Sequence, residues 1–99
     1  MRMIKKIIEQ LDEEIEGAQE YAEKYVECKA KGNMPRANTY KEMATDELKH
    51  CTYIHEMAVK EIEEIKRVYT APVDMQEKWE AAHKVYVERV ALIKQMLTL

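Results

Sequence analysis

The 99-residue sequence contains few of the residues that build tight turns or disulfide frameworks, and few aromatic residues other than tyrosine. It has no phenylalanine, one tryptophan, two glycines, two prolines and two cysteines. The scarcity of glycine and proline, with 46% apolar and 35% charged residues, is typical of charged amphipathic helices and not of sheets or disordered chains. We therefore expect a single all-α domain spanning residues 1–99.

The sequence also lacks a basic patch and a long apolar run. The formal net charge is −3 and both signs are interspersed, which argues against nucleic acid or an anionic membrane as a partner. No apolar run approaches the roughly 20 residues that span a bilayer, and Glu9 arrives before a signal-peptide core could form. Cys28 and Cys51 are too far apart for a CxxC pair and are interpreted as reduced thiols. We expect a cytoplasmic protein.

Apolar residues spaced three and four apart predict three helices, at about residues 3–31, 35–70 and 74–98. The apolar stripe of the third helix contains Met75, Trp79, Ala82, His83, Tyr86, Val90, Ile93 and Leu97. The short connection after the first helix predicts that the first two helices form a long antiparallel hairpin.

The predicted helix ends carry recognisable capping residues. Gly32 is suited to a C-cap and Asn33 to the next N-cap, while Pro72 forbids continuation of the second helix. Asp74 followed by Glu77 resembles a capping box that opens the third helix.

Two glutamates fall within the apolar stripes of the hairpin. Glu14 lines up with Ile7, Leu11, Ala18, Tyr21 and Tyr25, and Glu47 lines up with Tyr40, Met43, Ala44, Ile54, Ala58 and Ile65. His50, three residues after Glu47, shares its helix face. Buried carboxylates are usually paired, protonated or bound to a metal, because burying an unpaired charge is costly.

The three residues are also expected at one height in the hairpin. At about 1.5 Å per residue, Glu14 is about 25 Å from the turn, and Glu47 and His50 are about 18 to 23 Å from it. We therefore expect Glu14, Glu47 and His50 to meet in the interior. By contrast, His55 is interpreted as a surface or groove histidine and His83 as a core histidine with a backbone partner.

The segment Glu14-Ile-Glu-Gly17-Ala-Gln-Glu-Tyr21 resembles the Glu-x-x-Ala-x-x-x-Tyr segment on the first helix of ferritin-like proteins, the rubrerythrins and bacterioferritins especially. Glu47-x-x-His50 is similar to their second-helix motif, and the resemblance covers about residues 7–66. It implies that Glu14 is a terminal iron ligand, Glu47 a bridging carboxylate and His50 a nitrogen ligand, with the Tyr21 hydroxyl just outside the ligand set. Gly17 stands where the family usually has alanine.

The chain carries only half of a di-iron site. Such a site in a four-helix bundle takes a glutamate from each of two helices and a Glu-x-x-His pair from each of the other two. Two copies related by a twofold axis would supply the full set, with the metals near the axis. This arrangement is similar to that of the short encapsulated ferritins. We therefore expect a homodimer, or a multiple of one, that completes a ferritin-like four-helix bundle, with the third helix packed across the outside of the bundle or onto further subunits.

The resemblance implies a di-iron oxidoreductase whose catalytic residues are Glu14, Tyr21, Glu47 and His50. Two iron ions per dimer site would be oxidised by dioxygen or peroxide, as in a ferroxidase or a rubrerythrin-like peroxidase, and manganese or zinc would also suit these ligands. Because no rubredoxin-type CxxC pair is present, any electron donor would be a separate protein. The alternative is a non-catalytic helical structural or interaction module in which Glu14, Glu47 and His50 form a buried network without metal.

Overall fold

Three helices make up the part of the chain that this computed structural model describes, residues 2–68 and 73–99. The helices are α1 (Arg2–Ala30), α2 (Met34–Val68) and α3 (Val73–Met96), and the described residues contain no strand. The all-α prediction is confirmed, and the observed ends of α1 and α3 and the start of α2 lie within two residues of their predicted positions. The predicted end of the second helix, at about residue 70, and the predicted stop at Pro72 lie outside the described residues. No helix in the described ranges has an apolar stretch long enough to cross a membrane.

The turn between α1 and α2 is closed by both predicted caps. Gly32 has φ of +78°, its N–H donates to the carbonyl of Lys29 at 3.0 Å, and the N–H of Asn33 donates to the carbonyl of Cys28 at 2.9 Å. These two bonds form the Schellman arrangement that ends many helices. The side chain of Asn33 then accepts from the N–H of Arg36 at 3.2 Å and caps α2. The chain therefore reverses within a few residues and sets α2 antiparallel to α1.

The contact between α1 and α2 is built on small side chains. Five fully buried alanines lie in the core, Ala18, Ala22, Ala37, Ala44 and Ala58. Side-chain size at the contact sets how closely two helices approach, so these residues favour a close hairpin. Larger apolar residues, including Leu11, Ile15 and Ile54, fill the remaining space.

Helix α3 lies along one side of this hairpin and runs parallel to α1. Met75 packs with Ile4 near the start of both helices, and at the other end Lys29 donates a hydrogen bond to the carbonyl of Leu99. Arg89 fixes the middle of α3 to α1 by hydrogen bonds to Glu16 at 3.0 Å and to the side chain of Gln19 at 2.7 Å. The other long side of the hairpin is not covered by α3. The result is a rod of 55 × 17 × 17 Å.

The start of α3 differs from its prediction. The helix begins at Val73, so Asp74 lies inside the first turn and pairs with Lys78 at 3.3 Å between Oδ2 and Nζ. An acidic residue in a first turn still interacts favourably with the helix dipole. Asp74 thus lies within the first turn of α3, and the residues immediately before Val73 lie outside the described residues.

Candidate metal centre

Glu14 of α1 meets Glu47 and His50 of α2 in one cluster. Nδ1 of His50 lies 3.5 Å from Oε2 of Glu14 and 3.8 Å from Oε1 of Glu47. One ligand atom from each residue lies within 4.8 Å of the other two, and no second group of three such residues occurs in residues 2–68 and 73–99. The predicted convergence of these three side chains is confirmed.

The cluster is half-buried, and the prediction that it lies in the interior is wrong for the single chain. The side chains of Glu14 and Glu47 are 27% and 24% exposed, and that of His50 is 53% exposed. The buried face of α2 includes Leu48 and Cys51, the residues immediately beside Glu47 and His50. Glu47 is therefore at the margin of the core, and His50 points past that margin.

A groove of about 340 Å³ opens in front of the cluster. It is lined by Tyr21, Met43, Asp46, Glu47, Lys49, His50 and Tyr53. All of these residues belong to α1 or α2. We call this side of the hairpin the open face.

Two tyrosines border the cluster on the open face. Tyr21, named by the sequence motif, is partly buried and its ring stacks on Tyr40 with centroids 6.3 Å apart. Tyr53 was missed by the sequence reasoning, although it follows His50 by three residues and therefore shares its helix face. The spacing Glu47, His50, Tyr53 was the signal that could have found it.

The carboxyl group of Glu47 binds its proton more tightly than an ordinary glutamate does. A hydrogen bond to Glu14, then burial, then the negative charge of Glu14 raise the pKa of Glu47 from 4.5 to about 7. His50 opposes this rise and Asp46 adds to it. In the described residues no lysine or arginine forms an ion pair with either glutamate; Lys49 instead lies 3.9 Å from Asp46. Within the described part of the chain, His50 is therefore the one basic side chain paired with the two glutamates.

Cys51 lies behind the carboxylates and takes no part in the cluster. It is fully buried, and burial followed by the charges of Glu14 and Glu47 raises the pKa of its thiol to about 11. A thiol with so high a pKa stays protonated and inert at neutral pH. Cys28 is partly buried and, like Cys51, is not joined to another cysteine.

These residues fit a divalent transition-metal ion. Carboxylate oxygens and a neutral imidazole are the donors that iron, manganese and zinc accept. One ligand atom from each of Glu14, Glu47 and His50 lies within 4.8 Å of the other two, and Glu47 and His50 line the groove. A cation placed among them would replace the proton of Glu47 and relieve the repulsion between the two glutamates. One chain offers only three ligand residues, so further positions would remain open to a second chain.

The other two histidines do not join this cluster, and the interpretation of His83 as a core residue is wrong. His83 is exposed, and its Nδ1 lies 2.9 Å from Nε2 of His55 rather than beside a backbone group. His55 is half-buried in the groove between α2 and α3, as one of the two predicted alternatives had it. The difference arises because α3 packs mainly on α1, so that its contacts with α2 are made by long side chains.

No protein-family model, curated protein or solved structure matches this chain. The resemblance to ferritin-like proteins therefore rests on the two motifs of the hairpin and stays a prediction.

Proposed function

We propose that the protein is a ferritin-like iron protein in which two copies of the chain form one di-iron site. The observation that carries the proposal is the position of Glu14, Glu47 and His50, which gather on the open face of the hairpin. A second hairpin packed against that face would double the ligands to four carboxylates and two imidazoles, the number that a di-iron site in a four-helix bundle uses.

The exposed side chains of the open face support pairing of two chains. Tyr53, which lines the groove, is 64% exposed, and Met57, one helical turn further along α2, is 47% exposed, although both are large. Half-exposed His50 lies one turn from Tyr53 on the same helix face. Burial of such a surface against its own twofold copy would remove apolar area from water while bringing the two clusters together. Helix α3, on the far side of the hairpin, would not obstruct this contact.

The residues of the cluster would have distinct tasks in metal binding. Glu47 would release its proton and offer its carboxylate to the metal. His50 would bind the metal through a ring nitrogen. Tyr21 and Tyr53 would border the site and limit access from the groove. Bound iron would supply one-electron oxidation chemistry with dioxygen or peroxide, as in a ferroxidase or a rubrerythrin-like peroxidase. Any electron donor would be a separate protein, and manganese or zinc would suit the same ligands.

A specific observation also favours the alternative, a non-catalytic helical module. Nδ1 of His50 lies 3.5 Å from Oε2 of Glu14 and 3.8 Å from Oε1 of Glu47, and interaction with Glu14 raises the pKa of Glu47, so the three side chains already contact one another. A network satisfied in this way can fix the register of two helices without metal. The same residues would then serve structure or interaction alone.

Metal content separates the two functions. Protein purified without chelator, and reloaded anaerobically with Fe(II), should hold about one iron per chain, corresponding to two in each dimer site. Glu47→Gln and His50→Ala should lose this iron, whereas Glu20→Gln on the exposed face of α1 should keep it. Admission of dioxygen should then oxidise the bound iron in the wild type. Equal iron in all variants would reject the ligand assignment, and no stoichiometric iron in a wild-type dimer would favour the structural module.

A further inference from the structure

Helices α2 and α3 meet through a cluster of four rings. His55 of α2 stacks on Tyr86 of α3 with centroids 4.6 Å apart and an angle of 15° between the rings. Trp79 lies 5.4 Å from His55, and His83 lies 5.0 Å from it. We call these four residues the ring cluster. It joins two helices whose backbones otherwise make few close contacts.

Two imidazole nitrogens of the ring cluster have the separation of two ligands on one metal ion. Nε2 of His55 and Nδ1 of His83 are 2.9 Å apart. With metal–nitrogen bonds of roughly 2.0–2.1 Å, two ligands at a right angle are separated by about 2.8–3.0 Å, and two at the tetrahedral angle by about 3.3–3.4 Å. Without metal, the same distance makes a hydrogen bond in which one ring donates and the other accepts. Exchange of that proton for a metal ion therefore needs rotation of the rings and little change in their spacing.

The surroundings of the pair are suited to a cation. Burial, and then the neighbouring His83, lower the pKa of His55, so its ring is neutral near pH 7 and has a lone pair to donate. The carboxylate of Glu56 acts on His55 in the opposite direction and adds a negative charge nearby. His83 is exposed, so an ion and its remaining water ligands can reach the pair from solvent.

We propose that His55 and His83 form a second metal site, for a divalent ion that prefers nitrogen ligands, and that the bound ion fastens α3 to α2. The order of affinities for first-row ions places Cu²⁺ above Ni²⁺ and Zn²⁺. The site is independent of the proposed iron site. His55 follows His50 by five positions, which places the two side chains about 140° apart around α2. Glu14 and Glu47 contribute nothing to it.

The only tryptophan of the sequence reports directly on this site. The ring of Trp79 lies 5.4 Å from His55 and 5.9 Å from His83, and Cu²⁺ quenches indole fluorescence at such short range. Untagged protein carrying His50→Ala, which removes the imidazole of the other cluster, should lose Trp79 fluorescence on titration with Cu²⁺ and saturate near one ion per chain. Zn²⁺, which does not quench, should raise the melting temperature of the same protein.

Substitution of either ring tests the site. His83→Gln keeps a polar partner for His55 and alters an exposed position, so circular dichroism should remain that of the folded protein. Because only one imidazole would remain, the affinity for Cu²⁺ measured by quenching should fall on the order of a hundredfold. The rise in melting temperature with Zn²⁺ should disappear. His55→Gln should do the same, whereas Tyr86→Phe, which keeps both imidazoles, should bind as the parent does. Unchanged quenching in His83→Gln, or a Zn²⁺ shift that survives it, would overturn the proposal.

Discussion

Gly17 of α1 lies directly against the carboxylate of Glu47 on α2. A Cβ atom at position 17 would be 3.3 Å from Oε2 of Glu47 and 3.8 Å from its Cδ. The first distance is shorter than the usual 3.5–4.0 Å or so between non-bonded atoms. Gly17 stands within the first-helix motif, three residues after Glu14. The missing side chain therefore sets how closely Glu47 approaches α1 and the carboxylate of Glu14.

Gly17→Ala should change metal affinity and stability in opposite directions. The added methyl group requires the Glu47 carboxylate to shift by a few tenths of an ångström, which we expect to weaken metal binding by about tenfold. Alanine is also favoured over glycine inside a helix by roughly 0.5–1 kcal/mol, so the metal-free protein should become harder to unfold. Urea denaturation without metal and an Fe(II) titration measure the two effects. Glu20→Ala, three residues along α1, is the control, and unchanged affinity in Gly17→Ala would show that the contact does not position Glu47.

Glu47→Gln should remove a pH dependence from the stability of the metal-free protein. The pKa of Glu47 is raised from 4.5 to about 7 in the folded state, so the folded protein binds this proton more tightly than the unfolded chain. The resulting stability is present below pH 4.5 and is lost as the pH rises through about 7. Glutamine keeps the shape and carries no charge at any pH. The unfolding free energy of the wild type should therefore fall more between about pH 5 and pH 8 than that of Glu47→Gln.

The control for this prediction is Glu20→Gln, which removes an exposed carboxylate from α1 and should retain the wild-type pH profile. Parallel profiles in wild type and Glu47→Gln would mean that Glu47 ionises as an ordinary surface carboxylate.

Glu47→Gln should also change the response of the protein to metal. It should be more stable than the wild type at pH 8 without metal, and it should lose the rise in melting temperature that Fe(II) or Mn(II) gives the wild type. A gain of stability with loss of ligand binding is the behaviour expected of a site under electrostatic strain.

Gly32→Ala should destabilise the protein through its backbone alone. Gly32 has φ of +78°, a conformation that costs other L-residues roughly 1–2 kcal/mol, and a Cβ there would meet nothing within 4 Å. Gly32→Asn is the matched control, because asparagine tolerates this conformation better than alanine. Urea denaturation should therefore rank wild type above Gly32→Asn and Gly32→Ala last. Equal stability of the two variants would show that something other than φ sets the cost.

Local signals explain which parts of the structure the sequence predicted. The turn at Gly32 and Asn33 depends on neighbours in the chain, and the equal heights of Glu14 and Glu47 follow from the rise per residue in two antiparallel helices. The depth of the cluster could not be predicted in this way. It depends on which side of the hairpin α3 covers, and Glu47 lies close enough to the centre of the apolar stripe that a small rotation of α2 decides between core and margin.

The contact between His55 and His83 is a second feature that the sequence did not predict. The periodicity of α3 places His83 on its apolar side, yet His83 is exposed and forms a hydrogen bond with His55. Periodicity gives the direction of a side chain from its own helix axis but not the distance to the next helix. That distance is set by the packing of α3 on α1, through contacts such as Arg89 with Glu16. The contact of His55 on α2 with His83 on α3 therefore could not be predicted from the sequence pattern of either helix.

Tyr53→Glu should separate the proposed dimer into monomers. Tyr53 is 64% exposed on the open face, three residues from His50, and the proposed contact would bury it against the partner chain. A glutamate at this position would bring a new negative charge, and its twofold copy, next to the carboxylates already gathered there. Burial of unpaired charge is costly, and like charges at an interface add repulsion. We therefore expect light scattering to show a dimer, or a multiple of one, for the wild type and a monomer for Tyr53→Glu.

The matched control is Val87→Glu, which introduces the same charge at a 51% exposed position of α3, outside the open face. It should leave both the dimer and its iron content unchanged. Because each chain would supply only half of the ligands of the proposed site, Tyr53→Glu should also lose stoichiometric iron although Glu14, Glu47 and His50 are intact. Circular dichroism should show that its helices persist. A Tyr53→Glu monomer that keeps its iron would show that one chain is a sufficient site, and a Tyr53→Glu dimer would place the contact between chains somewhere other than the open face.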